Sequence, residues 1–258
     1  MKISFSIITV SYNSKQNLIT TINSIQRQTY KEFNHIIKDG LSRDKTNEIN
    51  FNNYKNTFFY EGFDFGIYDA MNRALRFVQN EYILYLNAGD YFLSKNSLKE
   101  LAETIKQNPN FDIYAGGTLQ INPKSNLPLR VMGIGRFYKF FPLAQLPHPS
   151  FIIKKSTLSK LKNPFDGKLK IAGDYKQQLI LRKNNLWNIY YVNKVISVMP
   201  IGGVSNNSAS SRITGFKETL LFSLNIYGII AIYIIGIKLL LNIYFKFKIN
   251  FSKKYIIL

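Results

Sequence analysis

The feature that most constrains this chain lies in residues 3–107, where short β-branched apolar runs alternate with stretches of helical periodicity. ISFSIITVS (3–11) is mostly apolar and runs into Asn13-Ser14, which predicts a buried strand ending in a turn or N-cap. NLITTINSIQRQ then places Leu18, Ile22 and Ile25 at helical spacing. NHIIK (34–38) predicts a second strand ending at Asp39-Gly40, and Ser42 predicts the cap of a short helix through about Phe51. NTFFY (56–60) and YILYL (82–86) read as further strands. Between them a helix over 66–78 carries Ile67, Met71, Leu75 and Val78 along one side, and Ser97 predicts the cap of LKELAETIKQ. Strands this apolar cannot face water on either side. The alternation therefore calls for an α/β fold, a parallel sheet with helices on both faces. In such sheets ligands bind beyond the C-terminal strand ends, the edge that receives Asp39 and Asp90.

After Asp112 the alternation breaks down. IYAGGTLQIN predicts strands around a Gly turn, NIYYV and KVISVM two more strands, and AGDYKQQLILRKNN a helix with Asp174 at its start. Three segments result: 1–112, 113–212 as the second half of the same domain, and a tail over 213–258. Charge divides the chain in the same sense. Residues 1–120 hold 13 Lys+Arg and 12 Asp+Glu, whereas 121–258 hold 21 and 3. The net charge of +19 thus sits in the half where apolar runs thicken. From Thr219 to Ile237 there are 19 residues without a charge, and KLLLNIYFKFKINFSKKYIIL adds five lysines and no acid. A basic, apolar tail points to an anionic membrane surface, reached by an amphipathic or re-entrant helix. A true span and simple packing on the domain are the other two readings. Nothing resembles a nucleic-acid-binding module, so no nucleic-acid partner is expected. The chain has no Cys and two His, which excludes thiolate and all-histidine metal sites and leaves hard cations on oxygen ligands.

SIITVSYNS, IIKDGLSRDKT, GFDFGIYDAMNRAL and YILYLNAGDYF, in this order and spacing, resemble the nucleotide-sugar-binding half of family 2 glycosyltransferases. HPSFIIKK and KIAGDYKQQLIL resemble that family's acceptor half, and the resemblance covers roughly residues 3–205. The bacterial colanic-acid, capsule and O-antigen transferases are the most similar subgroup. The resemblance implies a GT-A fold: a Rossmann-like, mostly parallel sheet flanked by helices, here followed by a helical, membrane-associating tail.

The resemblance also implies an inverting transferase that moves a sugar from a UDP-sugar to a lipid-linked saccharide, with Mg²⁺ or Mn²⁺ as cofactor. The site would lie at the cytoplasmic face of the bacterial inner membrane, on a peripheral or monotopic protein. Transfer to polyprenyl phosphate, or an inactive binding protein with a degenerate transferase domain, are the alternatives. Asp90 would hold the metal and Asp174 would be the catalytic base, a role compatible with its other reading as a helix N-cap. Thr9, Val10, Ser11 and Tyr12 would flank the base and ribose, and Asp39 would bond the nucleobase, plain Asp-Gly turn chemistry being its other role. Asp69 and Asn72, three apart on one helix face, would lie near the nucleotide, with a structural role for Asp69 equally open. Asn87, Ala88 and Gly89 complete the strand-ending turn, and His148 would approach the acceptor or diphosphate. Where family members carry paired carboxylates, this chain has Gly89-Asp90 and Gly173-Asp174. Gly202-Gly203 would bring backbone N–H groups onto the diphosphate.

Overall fold

The computed structural model describes residues 2–134, 138, 143–202, 209–233, 235, 236 and 240. The N-terminal alternation builds β1 (Phe5–Ser11), α1 (Lys15–Gln26), β2 (Phe33–Asp39), β3 (Thr57–Glu61), α2 (Ile67–Ala74), β4 (Tyr82–Tyr85), β5 (Tyr91–Phe92) and α3 (Ser97–Gln107). Then follow β6 (Ile113–Ile121), β7 (Pro128–Met132), β8 (Phe151–Lys154), α4 (Lys155–Leu158), α5 (Gly173–Lys183), β9 (Ile189–Pro200) and α6 (Ala209–Tyr227). The strands form one sheet in the order β3-β2-β1-β4-β8-β6-β9-β5, with β7 paired to β6. β3, β2, β1 and β4 are parallel, whereas β8 is antiparallel to both of its neighbours. The sheet is therefore mixed at its second half, where the alternation of the sequence fails.

Every residue of β1, β2 and β4 is buried, as continuous apolar strands require. Their side chains divide by the pleat into two cores. Ile8, Val10, Ile83 and Tyr85 pack with Met71 of α2 and Leu181 of α5 on one face. Phe5, Ile7, Tyr82 and Leu84 pack with Leu98, Leu101 and Ile105 of α3 on the other.

Four local expectations change. The helix expected after Ser42 is replaced by two short 3-10 turns, Thr46–Glu48 and Phe51–Asn53. Ser42 is spent on Asp39, and Lys45 sits at φ +65, which interrupts a helix. α2 is α-helical only to Ala74 and tightens into a 3-10 turn over Leu75–Phe77. IYAGGTLQI is one strand: side chains at Gly116 and Gly117 would collide with Ile196 and Ile134, so the glycines admit close neighbours without making a turn. NIYYV and KVISVM likewise merge into the twelve-residue β9.

α6 docks on α5, burying Phe222 against Tyr175 and Leu179. The Tyr227 hydroxyl donates to Leu179 O, and Lys183 Nζ donates to Ile226 O. The helix over residues 209–227 thus packs on the domain. No helix among the described residues is long and apolar enough to cross a membrane. Residues 241–258 lie outside the described residues, as does Gly203.

Candidate active site

The parallel strands deliver their C-terminal ends to one edge. There, loop 11–15 is clasped to loop 39–46 by side chains. Asp39 is fully buried, and its two carboxylate oxygens accept from the backbone N–H and hydroxyl of Ser42, both at 2.7 Å. Ser42 Oγ in turn accepts from Asn13 N, and Asn13 Oδ1 accepts from Arg43 N. Asp39 therefore anchors the turn here, the second of its two expected roles, with one hydrogen bond on each carboxylate oxygen. Thr9 and Val10 are also buried. The Thr9 hydroxyl donates to Leu86 O at 2.6 Å, so it accepts from His35 Nε2 at 2.9 Å. Burial pushes His35 down to about 3, which keeps that imidazole neutral. Of the candidates at and just beyond the end of β1 only Tyr12 reaches the surface, 63% exposed, with its ring beside Gly40. Next to it lies a buried ion pair that the sequence pattern did not reveal. Lys38 Nζ contacts Asp64 Oδ2 at 3.2 Å and also donates to the carbonyls of Asp39 and Gly62.

The turn after β4 holds the metal candidate. Gly89 adopts φ +101, so the missing second carboxylate has a backbone cause, since a side chain there would be strained. Thr21 of α1 braces the turn, accepting from Gly89 N at 2.9 Å and donating to Asp90 O at 2.8 Å. The only hint of Thr21 in the sequence is its place beside Leu18 and Ile22 on the buried face of α1. Ala88 continues the edge through a long backbone contact to Val10 O, and Asn87 Oδ1 is buried without a partner. Asp90 is 8% exposed and makes no ion pair with any described residue. Burial pushes its carboxyl up to about 8, with only the Asn87 backbone opposing. Among the described residues no three His, Asp or Glu gather into a metal site. The donor set nevertheless fits Mg²⁺ or Mn²⁺, which take one or two carboxylates and complete their shell with phosphate oxygens and water. A buried carboxylate with no cationic partner among the described residues is the group that such a cation would compensate.

α5 brings in Asp174 at its first turn. Gln145 Nε2 donates to Asp174 Oδ2 at 3.0 Å. Tyr68 lies 3.4 Å from Oδ1, but its single proton goes to Ile171 O at 2.7 Å. One carboxylate oxygen is thus left without a strong donor. The missing carboxylate at position 173 has a steric cause, because any side chain there would run into the Tyr68 ring. His148 stacks on Tyr85 at 4.7 Å and meets Phe165 edge-on. Burial holds its imidazole below the ordinary range against the pull of Asp174. His148 Nε2 and the Tyr85 hydroxyl are both buried without partners.

Two other candidates are occupied structurally. Asn72 clamps the Phe165 backbone from both sides, donating to its carbonyl at 2.7 Å and accepting from its N–H at 3.1 Å. Asp69 accepts from Phe65 N and from Arg73 Nε. These two contacts keep its carboxyl low against the opposing effect of partial burial. A cavity of about 440 Å³ lies apart from Asp90, between α2 and residues 155–164. Arg73, Arg76, Lys155 and Lys162 line it, and of the expected site residues it touches only Asp69 and Asn72.

A "PGL/p-HBAD biosynthesis glycosyltransferase" of Mycobacterium bovis is 31% identical over 119 residues, 45% of this chain and 46% of that protein. The Escherichia coli "UDP-Glc:alpha-D-GlcNAc-diphosphoundecaprenol beta-1,3-glucosyltransferase WfgD" is 25% identical over 108 residues, 41% of this chain and 43% of that protein. The matched segment spans about half the length of these curated relatives. The crystal structure of S. aureus TarS 1-349 in complex with UDP-GlcNAc superposes with a TM-score of 0.69 at 19% identity, over 90% of this chain and 70% of that one. That likeness shows a GT-A-like fold. The family model described as "Glycosyl transferase family 2" matches residues 6–163, and the chain belongs to that family.

Proposed function

We propose that this glycosyltransferase moves a sugar from a UDP-sugar to a lipid-linked saccharide by a single inverting displacement. The observation that carries the reading is Asp90, an uncompensated buried carboxylate at the C-terminal edge of the parallel strands. A divalent cation held there would supply charge neutralisation for the departing diphosphate. Tyr12 offers an exposed ring for the uracil, beside the Lys38–Asp64 pair. The acceptor hydroxyl attacks the anomeric carbon, the carbon–oxygen bond to the diphosphate breaks, and UDP leaves with the electron pair. The hydroxyl proton passes to the less engaged oxygen of Asp174, which Gln145 orients from the other side. The names of the TarS complex and of WfgD support a UDP-sugar donor and a lipid-diphosphate acceptor. A basic, apolar C-terminal segment supports work at the cytoplasmic face of a membrane, where such acceptors reside.

The test is UDP release from a panel of UDP-sugars, with and without Mn²⁺ and a polyprenyl-diphosphate saccharide. Release should depend on Mn²⁺ and fall at least about 100-fold in Asp90→Ala and in Asp174→Ala. A chain that binds UDP but turns over no donor with any acceptor defeats the reading.

A further inference from the structure

Residues 121–258 contain three acids: Asp166, Asp174 and Glu218. Glu218 lies on α6, 44 residues beyond Asp174 and outside the stretch that matches the family model. Its carboxylate reaches back to the segment that introduces α5. Oε1 accepts from Lys170 N at 2.7 Å, and Oε2 accepts from Ile171 N at 3.0 Å and Ala172 N at 2.9 Å. Ala172 occupies the N-cap position of α5 and has no capping side chain of its own, so the cap arrives from another helix. The same segment is held on its opposite side. Tyr68 donates to Ile171 O at 2.7 Å and packs its ring against Gly173. α6 comes so close at Gly215 that any side chain there would press on Ile171. Residues 170–172 are therefore gripped at their N–H groups by α6 and at a carbonyl by α2, immediately before Asp174.

We propose that Glu218 is a positioning residue, which sets the place and angle of Asp174 by clamping the backbone two to four residues ahead of it. The inference rests on Asp174 being the base. Its consequence is that α6 belongs to the working site although it touches no substrate. A base displaced by an ångström loses rate through orientation and not through donor binding. Releasing the clamp should therefore lower kcat and leave donor affinity unchanged.

The experiment uses the full chain with Glu218→Ala and Glu218→Gln, the latter keeping the shape and one acceptor oxygen. Amide hydrogen exchange should accelerate over residues 168–176 in Glu218→Ala and stay unchanged in β1 and β4. With UDP-sugar and Mn²⁺, kcat should fall about 10- to 100-fold in Glu218→Ala and less in Glu218→Gln, while KM for the donor and Kd for UDP hold. Equal kcat in wild type and Glu218→Ala overturns the proposal, as does a loss shared equally by kcat and UDP binding, which marks general unfolding. A wild-type chain that binds UDP without turnover defeats the transferase reading instead. In that case unchanged exchange over 168–176 would still overturn the clamp.

Discussion

At the scale of single residues, the chemistry concentrates in carboxylates that look alike in sequence and differ in surroundings. Asp39 and Asp44 have both carboxylate oxygens bonded by nearby donors and Asp69 has two donors on Oδ2, whereas Asp90 is buried with none of comparable strength. An unfolded Asp titrates near 4, and folded Asp90 titrates near 8. Between those values the folded chain holds a proton that the unfolded chain has lost, so Asp90 draws stability down as pH rises from about 4 to about 8. Metal-free protein should therefore melt progressively lower from pH 5.5 to 8.5, and Asp90→Asn should flatten that slope. Thermal unfolding of both forms checks this, and equal slopes refute it. Because the cation needs the ionised form, Mn²⁺ with UDP should raise the wild-type melting temperature more at pH 8 than at pH 6. The carboxylates missing at positions 89 and 173 answer to local structure, a positive φ in one case and the Tyr68 ring in the other. Neither cause can be read from a linear motif. The periodic residues of β1 and α1 were legible because burial follows spacing. The partners of Asp39 and Asn72 were not, because hydrogen-bond partners follow from packing.

At the scale of elements, α1 shows how one helix serves the site from two sides. Its apolar stripe, Leu18, Ile22 and Ile25, packs on the sheet, while Thr21 on the same stripe braces the Asp90 turn. Ser14, the expected cap, makes no capping bond. Asp44 accepts from Lys15 N at 2.7 Å instead, and also from the N–H and hydroxyl of Thr46. Burial opposes ionisation of Asp44, yet these bonds from Thr46 and Lys15 hold its carboxyl low. Asp44→Ala should cost about 0.5–2 kcal/mol of stability, the usual range for a lost helix cap. It should also loosen the loop that presents Tyr12. Urea unfolding gives the first quantity and UDP affinity the second; a variant unchanged in both would remove Asp44 from this role. The mixed half of the sheet was harder to foresee for a related reason. Gly116 and Gly117 look like a turn in sequence, and only the neighbouring Ile196 and Ile134 show that they are contact points within a strand.

At the scale of the whole molecule, the C-terminal residues divide into a docked helix and a basic end. α6 covers Tyr175 and Leu179 and supplies Glu218, so a chain ending at residue 208 should lose both a core contact and the clamp. A chain ending at Gly236 keeps α6 and sheds all five lysines of 238–258. The longer form should stay folded and release UDP from soluble donor, yet cease to sediment with vesicles of anionic lipid. The shorter form should aggregate or lose at least about 2 kcal/mol of stability through the uncovered apolar surface. Co-sedimentation and circular dichroism distinguish the two, and vesicle binding by the form ending at Gly236 would detach membrane affinity from the lysines. The sequence by itself determined the parallel strands, the helices over them and the edge where the acids collect, because strand and helix periods are local and burial obeys them. Only the tertiary structure decided which acids are spent on turns, which one is buried without a cationic partner and which helix grips the segment before Asp174. Those outcomes depend on side chains dozens of residues apart meeting at hydrogen-bond distance, a condition that no local period encodes.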